Sequence, residues 1–199
     1  LIKPGRADPL AALAVIGAGT GLGHCATLPD GRGGFFAVPA EAGHAAFPFV
    51  GGDETRYHDF VCSELSIPYA NGDVVVSGSG LALLHRYLTG EALTPAEAAR
   101  QAAPGTETAR RFARFYGRAA RNYVLCVVGF GGLMVTGGVA AKNSHLVDND
   151  HFRAEFVDSP SYGRQLAAVP VRLCQDERAG LWGAAFCGLQ LLRAKGAAT

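Results

Sequence analysis

The first pattern with chemical content is Gly17-Ala18-Gly19-Thr20-Gly21-Leu22-Gly23, four glycines in seven residues, placed directly after an apolar run. Closely spaced glycines let the backbone take positive φ and let amide N–H groups approach an anion with no Cβ in the way, and Thr20 adds a hydroxyl donor. Taken alone, the segment reads equally well as a phosphate cradle or as an idle turn. It is not a P-loop, because no Gly-Lys-Ser/Thr follows. The dinucleotide frame also fails: Leu22 or His24 stands where the third glycine is required.

Three further groups have chemical potential. Pro39-Ala40-Glu41-Ala42-Gly43-His44 sets a carboxylate and an imidazole three residues apart among small neighbours. Such a pair can accept from and donate to vicinal hydroxyls, which suits a polyol, although on its own it reads more readily as a solvated loop. Ser77-Gly78-Ser79-Gly80 opens a helix, where free N–H groups can meet an anion or the serine can simply cap. Gly137-Gly138 forms a second glycine turn at the carboxyl end of a strand, the end where ligands lie in α/β sheets.

Positioning these groups requires a sheet. Residues 12–38 read as an antiparallel meander, in which the glycine loop joins strand to strand and a turn spans Pro29 to Gly34. Asp53 to Leu65 reads as an amphipathic helix, Asp73 to Val76 as a strand by propensity, and Leu81 to Leu88 as a helix. Thr94-Pro95-Ala96-Glu97 is a capping box that starts a helix reaching about Ala102. A long helix from Thr106 buries the stripe Phe112, Phe115, Tyr116, Ala119 and Tyr123, read as core. Leu133 to Thr136 is a short strand, and Val169 to Leu173 is the last one, after an irregular stretch. Asp176 is the expected N-cap of a terminal helix burying Leu181, Trp182, Ala185, Phe186, Leu189 and Leu192.

The chain has 199 residues and a formal net charge of +1, with its basic residues scattered, so neither a nucleic-acid nor a membrane partner is expected. Its 27 glycines, twice the usual share of about 7%, cluster in a few loops and so reflect geometry rather than disorder. The five cysteines are far apart and match no metal spacing; they are expected to be buried free thiols in a reducing cytosol. The chain starts at Leu1 with an element almost at once, and is expected to be a piece of a longer protein.

In this order, the motifs resemble bacterial glucokinase, the ATP-dependent hexose kinase group of the actin-like ATPase superfamily. The likeness runs nearly end to end. It is carried by Val15 to Gly23, Pro39 to His44, Val75-Val76-Ser77-Gly78-Ser79-Gly80-Leu81, Gly131 to Val139, and Gly180-Leu181-Trp182-Gly183. The resemblance implies an α/β fold: a mixed β-sheet with packed helices, the ribonuclease H-like large domain of a two-domain kinase. Residues 1–175 would form that domain, and the helix of 176–199 would pack toward a small N-terminal domain outside this chain. By resemblance, that domain carries the other phosphate loop and an Asn-Asp pair with the catalytic aspartate, so no catalytic residue and no metal ligand is expected here.

Position by position, the resemblance implies that Gly17, Ala18, Gly19, Thr20 and Gly21 cradle ATP phosphates and that Gly137 and Gly138 receive the adenosine side. Glu41, His44 and Asp73 would hold the sugar. Asp73 stands where the family usually has a glutamate, and Ala40 and Ala42 replace its glycines. These departures bear on sugar preference rather than on reaction class. The implied reaction is transfer of the ATP γ-phosphate to the 6-hydroxyl of glucose, the entry to glycolysis, with Mg²⁺, in the cytoplasm. A sugar-sensing protein that keeps the scaffold without the chemistry is one alternative, and a plain actin-like scaffold is another. The oligomeric state stays open, a homodimer included.

Overall fold

The computed structural model describes residues 1–31, 34–176 and 178–196, with only the backbone for 193–196. Strands β1 (Leu13–Ala18), β2 (Leu22–Pro29) and β3 (Phe35–Ala40) form the expected antiparallel meander, paired Leu13↔Thr27 through Ala18↔Leu22 and then His24↔Ala40 through Pro29↔Phe35. Of the turn between β2 and β3, Arg32 and Gly33 lie outside the described residues.

Helices α1 (Gly51–Leu65), α2 (Gly72–Val75), α3 (Gly78–Thr89), α4 (Pro95–Gln101) and α5 (Glu107–Cys126) come next. Strand β4 (Gly132–Thr136) then returns to the sheet. After α6 (Gly138–Lys142), α7 (Asp150–Val157) and α8 (Gly163–Ala168) come β5 (Val171–Leu173) and α9 (Ala179–Gly196). The sheet is mixed, in the order β3-β2-β1-β4-β5, with β4 parallel to both β1 and β5.

Alternation along β1 sends Ala14, Ile16 and Ala18 fully into the core, where they meet the stripe on α5. Phe112, Phe115, Tyr116 and Tyr123 are buried there as the 3.6-residue period predicts, while Ala119 is only partly covered. The capping box at Thr94 forms in both directions, and Ser77 caps α3 by accepting from the Gly80 amide at 3.1 Å.

Several expectations are corrected. Asp73 to Val76 is not a strand. Asn71 accepts from the Val74 amide at 3.0 Å and caps the single helical turn α2, and Val75 and Val76 satisfy their hydrophobicity inside the core without a sheet. The stretch before β5 is not irregular. Asn149 caps α7 by accepting from Phe152 N, and Phe152 and Phe156, one turn apart, stack at 6.3 Å in the core.

Asp176 accepts from the Arg178 amide at 2.9 Å in a turn that leads into α9, three residues ahead of the first helical residue. The expected buried face of α9 is exposed, Trp182 at 58% and Leu192 at 68%, because among its described side chains the core covers none of these apolar residues. The cysteines are free thiols, but none is buried, and Cys126 and Cys187 are exposed.

Candidate functional site

The parallel pairing of β1 with β4 ends at Gly17↔Thr136. It therefore delivers the two glycine turns side by side at the same end of the sheet, where strand ends and amides point away from the ladder. Between them opens a cleft of about 540 Å³, lined by Gly17, Gly19, Thr20 and Gly21 of the first turn, by Thr136 and Gly137 of the second, and by Glu41 and Asp73. Gly138 lies next door, in a recess of about 180 Å³ shared with Thr136, Gly137 and Asp176.

The first turn is held from several sides. Gly19 donates to the Gly21 carbonyl at 2.8 Å and Gly78 donates to the Gly19 carbonyl at 2.9 Å, so the start of α3 braces the loop. Among the described residues the Thr20 and Gly21 amides make no backbone hydrogen bond, which leaves two neighbouring donors at the edge of the cleft. Ala18 does not line the cleft. Its side chain is buried and its amide donates to the Tyr116 hydroxyl at 3.1 Å. In the second turn Gly137 has φ 89°, and a Cβ there would strike the Ala18 carbonyl, so only glycine fits.

Glu41, His44 and Asp73 converge. β3 ends at Ala40 and a 3₁₀ turn over Ala42–His44 brings the His44 imidazole to 3.5 Å from Glu41 and 3.9 Å from Asp73. Glu41 is 90% exposed and Asp73 29% exposed. Asp73 Oδ1 accepts from the Leu22 amide at 2.7 Å. A Cβ on Gly43 would collide with that same carboxylate. The aspartate therefore wedges between the 3₁₀ turn and the end of the first glycine turn. A carboxylate, an imidazole and a second carboxylate beside unpaired amides form a set able to hold a polyol next to a phosphorylated ligand.

Two participants were not legible in the motifs. His24 lines the cleft and packs edge-on against Tyr123 with ring centroids 4.5 Å apart, and its Nδ1 is buried without a partner. Burial holds its imidazole below the ordinary value, against the opposing pull of the Leu22 backbone, Asp73 and Glu41. Its place on β2 opposite Ile16 was the available signal. Tyr116, read from its spacing as core, is buried but also bonds to the backbone of the first turn.

Comparison with known proteins agrees with this geometry. The glucokinase of Synechocystis sp. is 28% identical over 221 residues, covering 96% of this chain and 62% of its own length. A crystal structure of glucokinase from an Antarctic psychrotroph superposes with a TM-score of 0.81 at 26% identity, over 94% of this chain and 60% of the other. A ROK family glucokinase from Streptomyces griseus, in complex with glucose and AMPPNP, shares the fold with a TM-score of 0.58 at 22% identity, over 90% of this chain and 61% of its own. The chain thus spans about three fifths of the length of the relatives it matches, and its mixed sheet with packed helices is the ATPase-like fold of sugar kinases. The family model described as Glucokinase matches residues 1–191, and the chain belongs to the glucokinase family.

Proposed function

We propose that this chain supplies the nucleotide cradle and the sugar grip of a kinase that transfers the γ-phosphate of ATP to the 6-hydroxyl of glucose. The observation that carries the reading is the meeting of both glycine turns with Glu41 and Asp73 in one cleft of about 540 Å³. The Streptomyces griseus neighbour of the same fold holds glucose and AMPPNP together, in keeping with a shared site of this kind.

In this reading the Thr20 and Gly21 amides and the Thr20 hydroxyl meet the phosphates, while Gly137 and Gly138 let the adenosine side lie against bare backbone. Glu41, His44 and Asp73 bond to glucose hydroxyls and orient the 6-hydroxyl toward the γ-phosphate, which is most of what phosphoryl transfer asks of a protein. As the 6-oxygen bonds to the γ-phosphorus, the bond from that phosphorus to the β–γ bridging oxygen breaks and ADP leaves, while the hydroxyl proton passes to a carboxylate. We assign that base to a small domain outside this chain, consistent with the share of its relatives that the chain spans. Among the described residues no three His, Cys, Asp or Glu side chains converge as a metal site; Mg²⁺ would be held mainly by the nucleotide phosphates and water and would neutralise their charge.

The exposed apolar face of α9, with Leu181, Trp182 and Phe186, is assigned to contact with that small domain. Residues 1–175 are then the large domain. Among the described residues no helix is long and apolar enough to cross a membrane, and we place the protein in the cytoplasm. The test is glucose-dependent ADP formation by the full-length protein and by residues 1–199 alone. Activity in the first and none in the second is expected. Equal rates would refute the assignment of the base, and an inactive full-length protein with a clear glucose affinity would favour a sugar sensor.

A further inference from the structure

Tyr116 and Arg118 stand two positions apart on α5, and residues so spaced do not face each other on a helix. Each is buried, and their polar contacts go to different parts of the fold, Tyr116 to the strand ends beside the cleft and Arg118 to the chain around Phe49. The Tyr116 hydroxyl accepts from the Ala18 amide at 3.1 Å and donates to the Thr136 carbonyl at 3.4 Å. It therefore bridges β1 and β4 just where their ladder stops, at the roots of the two glycine turns. Burial pushes its pKa up, which keeps the proton needed for the donated bond.

Arg118, 2% exposed, bonds through Nε to Glu155 at 2.7 Å and through Nη2 to Glu54 at 3.0 Å; its Nη1 also reaches Glu54 and donates to the Pro48 carbonyl at 2.9 Å. Glu54 accepts in turn from the Val50 amide at 2.7 Å. The ion cluster thus grips the backbone on both sides of Phe49, while the Phe47 ring lies 5.9 Å from the guanidinium. This gripped segment is tied to the sugar side: Phe47 N donates to Ala70 O at 2.9 Å and Gly72 N to Ala45 O at 3.1 Å. Ala45 directly follows His44, and Gly72 directly precedes Asp73.

Resting on the kinase reading of the cleft, we infer that Tyr116 and Arg118 are positioning residues that divide the site between them: Tyr116 sets the nucleotide turns and Arg118 holds the sugar turn. A buried ion cluster is a poor source of net stability compared with apolar packing, which makes its hold on a particular backbone segment the more telling feature. The two sets of polar contacts share no partner, so each can be removed while the other is left in place.

The experiment is steady-state kinetics of glucose-dependent ADP formation by the full-length protein, with each variant's folding checked by thermal unfolding. Tyr116→Phe removes one oxygen and leaves the Ala18 amide unpaired; the KM for ATP is expected to rise about tenfold while the KM for glucose changes less than about twofold. Arg118→Lys cannot reproduce the planar fork and should do the reverse, raising the KM for glucose about tenfold and sparing ATP. Should the lysine variant fail to fold, Glu155→Gln, which loosens the same cluster with nearly unchanged shape, should show the same sense of effect. Folded variants that shift both KM values together, or neither, overturn the division while leaving the kinase reading intact. A full-length wild type without turnover overturns the kinase reading and the division with it.

Discussion

The Asp73 carboxylate accepts a 2.7 Å hydrogen bond from the Leu22 amide, and so joins α2 to the end of the first glycine turn. A longer side chain would have to find room where Gly21 and Gly43 already press against the carboxylate. Asp73→Ala leaves that amide without its partner and is expected to cost about 1–3 kcal/mol of stability, measured by urea unfolding. It should also raise the KM values for glucose and ATP together, because one contact serves both turns.

Glu41 separates binding from stability. Its side chain is 90% exposed and makes no core contact, so Glu41→Ala should leave the unfolding midpoint unchanged. In the full-length protein, glucose affinity should fall about 10- to 100-fold, since hydroxyls that bonded to a carboxylate lose it. Thermal unfolding checks the first half and calorimetric titration with glucose the second, and undiminished affinity would remove Glu41 from the sugar site.

The two glycines of the second turn make a matched pair of tests. Gly137→Ala combines φ 89° with a collision at the Ala18 carbonyl, and should destabilise the fold by about 1–3 kcal/mol or more. A methyl on Gly138 meets nothing within 4 Å. Gly138→Ala should therefore keep the wild-type melting temperature while weakening ATP, if the nucleotide lies on that backbone. Wild-type ATP affinity in this variant would move the adenosine elsewhere.

Acid should weaken the ion cluster in a defined window. Burial alone would raise the Glu155 carboxyl, but the Arg118 and Arg114 guanidiniums outweigh it and hold the carboxyl below 4.5. With the folded value depressed, the unfolded chain binds the proton first as pH falls, so this contribution is full above 4.5 and is lost as pH drops from there through the folded value. Urea midpoints of wild type and Glu155→Gln, followed from about pH 6 to about pH 3, should differ most at the upper end and converge in acid. A constant gap would show that Glu155 does not titrate in this way.

The apolar face of α9 yields a simple comparison. Residues 1–199 expressed alone should bind a hydrophobic dye or self-associate through Leu181, Trp182 and Phe186, and the full-length protein should do so far less. A dye-free monomer of the shorter chain would argue against an interface there.

By itself the sequence determined the elements whose signals are local. Glycine spacing marked the strand-to-strand loop, the Thr94 to Glu97 box marked α4, and the 3.6-residue stripe marked α5; each depends on neighbours along the chain. Only the tertiary structure decided what depends on distant contacts. Asp73 to Val76 has strand propensity but becomes a helical turn, because Asn71 caps it and the core accepts its valines without a ladder. Tyr116 and Arg118 look like two more positions on a helix until β1 and β4, and then Glu54, Glu155 and Pro48, are folded against them. Glu41, His44 and Asp73 are 32 positions apart from first to last, and the fold brings the His44 imidazole within 3.9 Å of both carboxylates, which line the cleft. Spacing along a chain records hydrogen bonds within a turn; the long-range bonds that orient a site leave no period to read.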